Sequence, residues 1–211
     1  MKSTECSNSI WAIRVDNESG GQIEITSLIS LVNAAVFTNE LGGTVSGTGI
    51  LDATGGTFTN EGTVSPGFSS GTLTVQEDFT QTITGELLIE ITGSPGSGNF
   101  DLLVVTDDAF LDGTLKVVLS GFAPQLGDQY TILTSASLNG TTFANEMMPL
   151  GGGGLPIFQV DYNNIVPNAV VLTAVVLIPL PSSVWMGVVL LAAWGLCACR
   201  RMRALSSRRP R

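Results

Sequence analysis

FTNELGGTVSGTGILDATGGTFTNEGTVSPG, residues 37–67, copies itself. Phe37-Thr38-Asn39-Glu40 returns as Phe58-Thr59-Asn60-Glu61, an offset of 21, and Gly43-Thr44-Val45-Ser46 returns as Gly62-Thr63-Val64-Ser65, an offset of 19. A period near 20 residues is the length of one turn of a β-solenoid. One such coil cannot bury an apolar face by itself. Coils stacked about 4.8 Å apart pair their backbones and share a core. The expected inward residues are Val45, Ile50, Phe58 and Val64, with glycines at the corners.

Downstream the text keeps to short strands. Leu73 and Val75 alternate with Thr72 and Thr74, and Leu87, Ile89 and Ile91 alternate with Leu88, Glu90 and Thr92. That period of two marks half-buried strands. SPGSGN (94–99) is a turn. FDLLVVTD (100–107), AFLDGTLKVVLS (109–120) and DQYTILTSA (128–136) are further strands with more continuous apolar runs. Gly151–Gly154 reads as a linker. IFQVDY (157–162) and AVVLTAVVL (169–177) can pair as a hairpin around NNIVPN, although the second run could also continue into the apolar tail.

The order GTVSPG (62–67), SSGTLTV (69–75), DFTQ (78–81), FDLLVV (100–105), LDGTLKVVL (111–119), FAPQLGDQYTILT (122–134) and GTTF (140–143) resembles the C-terminal end of autotransporter-type passenger β-helices. The resemblance implies a right-handed parallel β-helix whose last coils form a cap. No translocator barrel is legible after Phe143, so self-transport is not part of the expectation.

Charge and composition exclude several functions. The chain of 211 residues carries nine Lys and Arg against eighteen Asp and Glu. Six of the nine cations lie at or beyond Arg200, so residues 1–199 hold three positive and eighteen negative charges, a net of −15. Such a body cannot displace counterions from phosphates, and no nucleic-acid partner is expected. There is no His, which removes the Ser-His-Asp arrangement. Cys6, Cys197 and Cys199 are the only cysteines, so neither a disulfide framework nor a Cys/His zinc site is expected. Lys116 reads as a solvated edge charge, and Asp107 and Asp108 as a solvated turn. Gly96-Ser97-Gly98-Asn99-Phe100-Asp101 is only a weak echo of a calcium-binding glycine repeat, because Phe100 breaks its spacing. No catalytic residue, cofactor or metal is assigned, and no enzyme activity is expected.

The C-terminus has three parts in order: Ile178-Pro179-Leu180-Pro181, the uncharged stretch Ser182–Cys199, and Arg200, Arg201 and Arg203. Eighteen residues of helix reach about 27 Å, close to the hydrocarbon thickness of a bilayer. The arginines read as a stop that fixes a cytoplasmic end. This order resembles the PEP-CTERM sorting signal of Gram-negative bacteria in its Val-Pro-Leu-Pro version, with Ile178 in place of Val. The resemblance implies recognition of Ile178, Pro179, Leu180 and Pro181 by an exosortase-type processing enzyme.

The expected architecture is therefore all-β, a short right-handed parallel β-helix plus one C-terminal transmembrane helix. Its parts are a polar segment (1–21) that reads as a start cut into midway and lacks a signal peptide, a solenoid body (22–144), a linker with terminal strands (145–177), the sorting motif with helix and Arg stop (178–203), and a basic tail (204–211). The expected function is an exported surface or matrix protein of structural or adhesive type. It would sit in the membrane through its C-terminal helix until processed, then at the cell surface or secreted, with exopolysaccharide as a candidate partner. The alternatives are a fragment of a β-helix polysaccharide-acting enzyme and a simple tail-anchored adhesin.

Overall fold

The computed structural model describes residues 9–10, 14–31, 36–151 and 157–175. After a two-residue strand, β1 (Ser9–Ile10), a first coil runs through β2 (Arg14–Asn17), β3 (Gln22–Ile25) and β4 (Leu28–Leu31). A second runs through β5 (Val36–Asn39), β6 (Thr44–Gly47) and the first half of β7 (Ile50–Asn60). The second half of β7 opens a third coil, which continues through β8 (Thr63–Pro66) and the first half of β9 (Thr72–Gln81). A fourth takes the rest of β9, then β10 (Glu86–Ile91) and β11 (Leu102–Val105). A fifth takes β12 (Ala109–Phe110), β13 (Thr114–Leu119) and β14 (Gln129–Thr134). There follow β15 (Asn145–Met147), β16 (Phe158–Tyr162) and β17 (Ala169–Ala174).

Each strand pairs in parallel with its counterpart one coil on: β2 with β5, β5 with β7, β7 with β9, and β9 with β12 on the first face. On the second face β3, β6, β8, β10, β13 and β15 follow one another. The third face joins β4, β7, β9, β11 and β14. β7 and β9 run continuously round the corner between the third and first faces, so those two faces form one eleven-stranded sheet beside the six-stranded second. The result is a solenoid-like stack of parallel sheets.

The core follows from the alternation. Val45, Val64, Leu87 and Leu115 occupy one in-register inward row and are all 0% exposed. Phe37, Phe58 and Phe79 form another, meeting edge to face with centroids 4.9 and 5.3 Å apart, within the favourable range for aromatic pairs. Leu51 and Val75 form a third. Leu51, not Ile50, points inward: Ile50 is half-buried, one residue out of phase with the expectation. Each large apolar side chain fully buried this way contributes about 1.5–3 kcal/mol.

Beside the phenylalanine row runs a polar one. Asn17, Asn39, Asn60 and Gln81 are buried, the last three at 1% exposure or less. The Nδ2 of Asn17 donates to Asn39 Oδ1 at 2.7 Å, that of Asn39 to Asn60 Oδ1 at 2.8 Å, and that of Asn60 to Gln81 Oε1 at 3.3 Å. The same amides reach across the corner to the second face, Asn39 to Thr63 O, Asn60 to Glu86 O and Gln81 to Thr114 O. Glycine is required there. A Cβ on Gly43 would lie 2.6 Å from Asn39 Oδ1, and one on Gly62 2.4 Å from Gly43 O.

The parallel stack ends in an antiparallel hairpin. β17 pairs with β14 on one side and β16 on the other, both antiparallel, as the two apolar runs flanking NNIVPN suggest. The phenol of Tyr130 donates to Gly93 O at 3.2 Å, and its ring meets Phe100 and Phe158 edge to face, tying β14 to the loop below and to the hairpin above. Burial first, then the carboxylate of Asp128, pushes the Tyr130 phenol up to about 12.

The expected transmembrane helix is corrected here. Among the described residues no helix is long and apolar enough to cross a membrane, and the single helical piece is the three-residue 3-10 turn Pro95–Ser97. The alternating, Thr- and Val-rich text that is described favours strands, so the fold is all-β. The stretch Ser182–Cys199, on which the helix was read, lies outside the described residues. The single-pass membrane placement with a cytoplasmic C-terminus falls on the same finding.

Replacing Asn60 by Ala removes two of the three amide–amide bonds and leaves buried partners at Asn39, Gln81 and Glu86 O. Urea unfolding is expected to show a loss of roughly 2–4 kcal/mol.

Candidate functional site

Outward positions of the first face carry the most regular polar chemistry. Strand alternation that sends Phe37, Phe58 and Phe79 inward sends their neighbours outward. Asp16, Thr38, Thr59, Thr80 and Phe110 are successive register partners in one row. Val36, Thr57 and Asp78 make a second row two residues away. Neighbouring strands lie about 4.8 Å apart, and positions i and i+2 about 6.7 Å apart along a strand. The face is thus a small lattice of hydroxyls and carboxylates, in which Thr38 is buried at 8% exposure, with an aromatic edge at Phe110, which is 38% exposed. The second face repeats the theme with Thr44 beside Thr63 and Ser46 beside Ser65.

Acidic groups crowd the corner where the third face meets the first. Glu77 occupies a left-handed conformation, φ 87°, which allows the chain to turn in a single residue where the coil before it uses Gly55. Its N–H donates to Thr106 Oγ1 at 3.0 Å. Asp107 is exposed and Asp108 half-buried, and the N–H of Asp108 donates to Asp78 Oδ1 at 3.1 Å. The expected solvated turn at Asp107–Asp108 is thus tied to the coil below. Among the described residues no three acidic, His or Cys side chains gather where a metal ion could be held.

Lys116 departs from its expected place. Its strand, β13, lies between β10 and β15 and is not an edge, and its Nζ pairs with Glu86 Oε1 at 3.6 Å on the outward side. With both partners partly solvated, the pair contributes little.

Asp101 turns inward and is 1% exposed. Its Oδ1 accepts the N–H of Gly71 at 3.0 Å and its Oδ2 the N–H of Glu90 at 2.8 Å. The carboxylate therefore joins the turn between β8 and β9 to strand β10, and it is spent on backbone donors, not aimed at a cation site in the 96–101 loop. Burial pushes its carboxyl up to about 7, against the two N–H bonds that favour the charged form, with the nearby Glu90 carboxylate adding to the rise.

Two further side chains secure the end of the stack. Tyr162 donates its hydroxyl to Glu146 Oε1 at 2.9 Å and accepts the N–H of Phe143; burial and that carboxylate push its phenol up. Asp161 caps the hairpin loop by accepting the N–H groups of Ile165 and Asn164, which hold its carboxyl below the ordinary range.

The sorting residues Ile178, Pro179, Leu180 and Pro181, and the arginines Arg200, Arg201 and Arg203, lie outside the described residues. The Thr38–Thr59–Thr80 row was not singled out from sequence, although the offset of 21 between the two FTN copies, extended to FTQ at 79–81, carries the signal.

Lys116→Met is expected to change unfolding free energy by less than about 1 kcal/mol, read by urea titration at two salt concentrations. No family model matches the chain, and no curated protein matches it either.

Proposed function

We propose that this protein is an exported structural or adhesive component of a bacterial extracellular matrix, with a polysaccharide as its ligand. The observation that supports this reading is the in-register pair of outward threonines Thr59 and Thr80 beside Thr57 and Asp78, with the buried Thr38 one coil below. A row of hydroxyls repeating every coil presents donors and acceptors to a repeating polymer along its length, so several weak contacts add on one chain. Carboxylates at Asp16 and Asp78 extend the donor–acceptor pattern, and Phe110 gives a sugar ring an apolar surface at the row's end. The unbalanced negative charge of the body favours a neutral or cationic glycan over an acidic one.

In this reading the C-terminal Ile178-Pro179-Leu180-Pro181 is an address read by an exosortase-type enzyme, which removes or replaces the tail during export. The motif's resemblance to the PEP-CTERM signal is what supports it.

Two experiments test the two parts separately. Retention of the purified chain on neutral extracellular polysaccharide is expected to weaken roughly tenfold in the double substitution Thr59→Val and Thr80→Val, which removes about two hydroxyl hydrogen bonds at ~0.5–1.5 kcal/mol each. Undiminished binding would remove the face from the account. In a host that carries the processing enzyme, changing Pro179 and Pro181 to Ala is expected to leave the tail uncleaved, as read by the mass of the mature protein. Cleavage at the wild-type level would show that the motif is not a sorting signal.

A further inference from the structure

We propose that Asn139–Gly140 is a self-modifying site, where the chain turns one side-chain amide into a carboxyl group without an enzyme and so adds a negative charge beside Phe110. Of the eleven asparagines in the chain, Asn139 alone precedes a glycine. Every other is followed by a side chain that crowds the main-chain nitrogen the asparagine must reach. Glycine removes that obstacle and frees the backbone to bend toward it.

The fold sets this pair apart as well. Asn139 and Gly140 are both exposed and hold left-handed φ values of 51° and 71°. Thr141 N–H closes the turn onto Leu138 O at 2.9 Å, the two-residue arrangement that Asn-Gly favours. Asn139 N–H donates to Ser137 Oγ at 3.0 Å. The bonds of the turn thus use the N–H groups on either side of Gly140 and leave its own nitrogen outside. A Cβ placed on Gly140 would meet nothing within 4 Å, so the nitrogen is open to solvent.

Similar groups elsewhere are closed off. Asn39 and Asn60 are buried, with their amides engaged in the ladder. Asp112–Gly113 is the matching dipeptide for aspartate, but Gly113 is buried and its N–H donates to Asp112 Oδ1 at 2.8 Å. A Cβ on Gly113 would lie 2.3 Å from Gly85 O, so that corner has no room for a ring to close.

Water is the only co-reactant needed. When the turn opens, Gly140 N attacks Asn139 Cγ. The N–Cγ bond forms, the Cγ–Nδ2 bond breaks, and Nδ2 leaves as ammonia with the proton lost from Gly140 N. Water then opens the five-membered imide. Attack at Cγ restores the main chain and leaves aspartate; attack at the main-chain carbonyl leaves isoaspartate.

Placement decides the consequence. Ala109 N–H donates to Ser137 O and Leu111 N–H to Thr141 Oγ1, both at 2.8 Å, so the turn is seated on the segment that carries Phe110. Aspartate keeps the turn, because it tolerates the left-handed conformation, and adds one charge. Isoaspartate lengthens the main chain by one carbon and draws Thr141 away from Leu138 O and Leu111 N, which loosens the last coil. The site stands whether or not the face binds a polysaccharide.

Peptide mass mapping of the full-length chain held at pH 8 tests the site. The first conversion is expected in the peptide that holds Asn139, as the mass gained when NH2 is replaced by OH. Because the turn opens locally, the folded chain is expected to convert within ~100-fold of its rate in urea. Asn139→Gly, which keeps the left-handed turn, is expected to stay unconverted over the same period. Conversion first at another asparagine, a larger lag in the folded chain, or an unchanged rate in Asn139→Gly overturns the proposal.

Discussion

Four side-chain amides decide how far one coil can slide on the next. Asn17, Asn39 and Asn60 each donate to the following member, ending at Gln81, and all four also donate to a backbone carbonyl on the neighbouring face. A slip of one residue is forbidden by burial, since it turns every inward side chain outward, but a slip of two keeps the faces and leaves these amides mispaired in the core. Apolar burial alone cannot set this register, because the inward rows hold interchangeable Val, Leu and Phe. The ladder sets it, and the phenylalanines beside it then fall at the centroid spacing that edge-to-face packing prefers.

The register has a consequence on the outside. Because the amides repeat at separations of 22, 21 and 21 residues, the outward threonines repeat with them, and a row of hydroxyls results. Beyond Gln81 the coils lengthen. Contacts between equivalent positions, such as Asp78 with Asp108 and Gly71 with Asp101, are 30 residues apart. The extra chain forms loops, and loops require their own fastenings. Asp101, Tyr130 and Tyr162 supply them, each using a polar tip, buried in the first two and half-buried in Tyr162, to hold a backbone group. The antiparallel hairpin of β16 and β17 then pairs with β14 and ends the parallel stack.

Much of this was legible in the sequence. The offset of 21, the alternation at Leu73–Val75 and Leu87–Ile91, and the paired apolar runs around NNIVPN correspond to observed strands and pairings. What escaped was direction. Asn39 and Asn60 are turn-forming residues by type, so their inward aim became visible only with the fold, as did the role of Gln81 as a longer substitute for Asn. Asp101 stood in a loop that looked calcium-like, and only the approach of Gly67 and Gly71 shows why its carboxyl faces in. Ile50 and Leu51 are equally apolar, so patterning could not choose between them. The helix read at Ser182–Cys199 rested on apolar length, a property that fixes no placement by itself.

A double-substitution cycle on Asn39 and Asn60 tests the ladder most directly. Unfolding free energies of Asn39→Ala, Asn60→Ala and the double variant are compared with the parent chain. Because each residue bonds to the other and to a shared chain of amides, the two losses should overlap by about 1–2 kcal/mol. Losses that simply add, within about 0.5 kcal/mol, would mean that the two amides act independently and that something other than the ladder holds the coils in register.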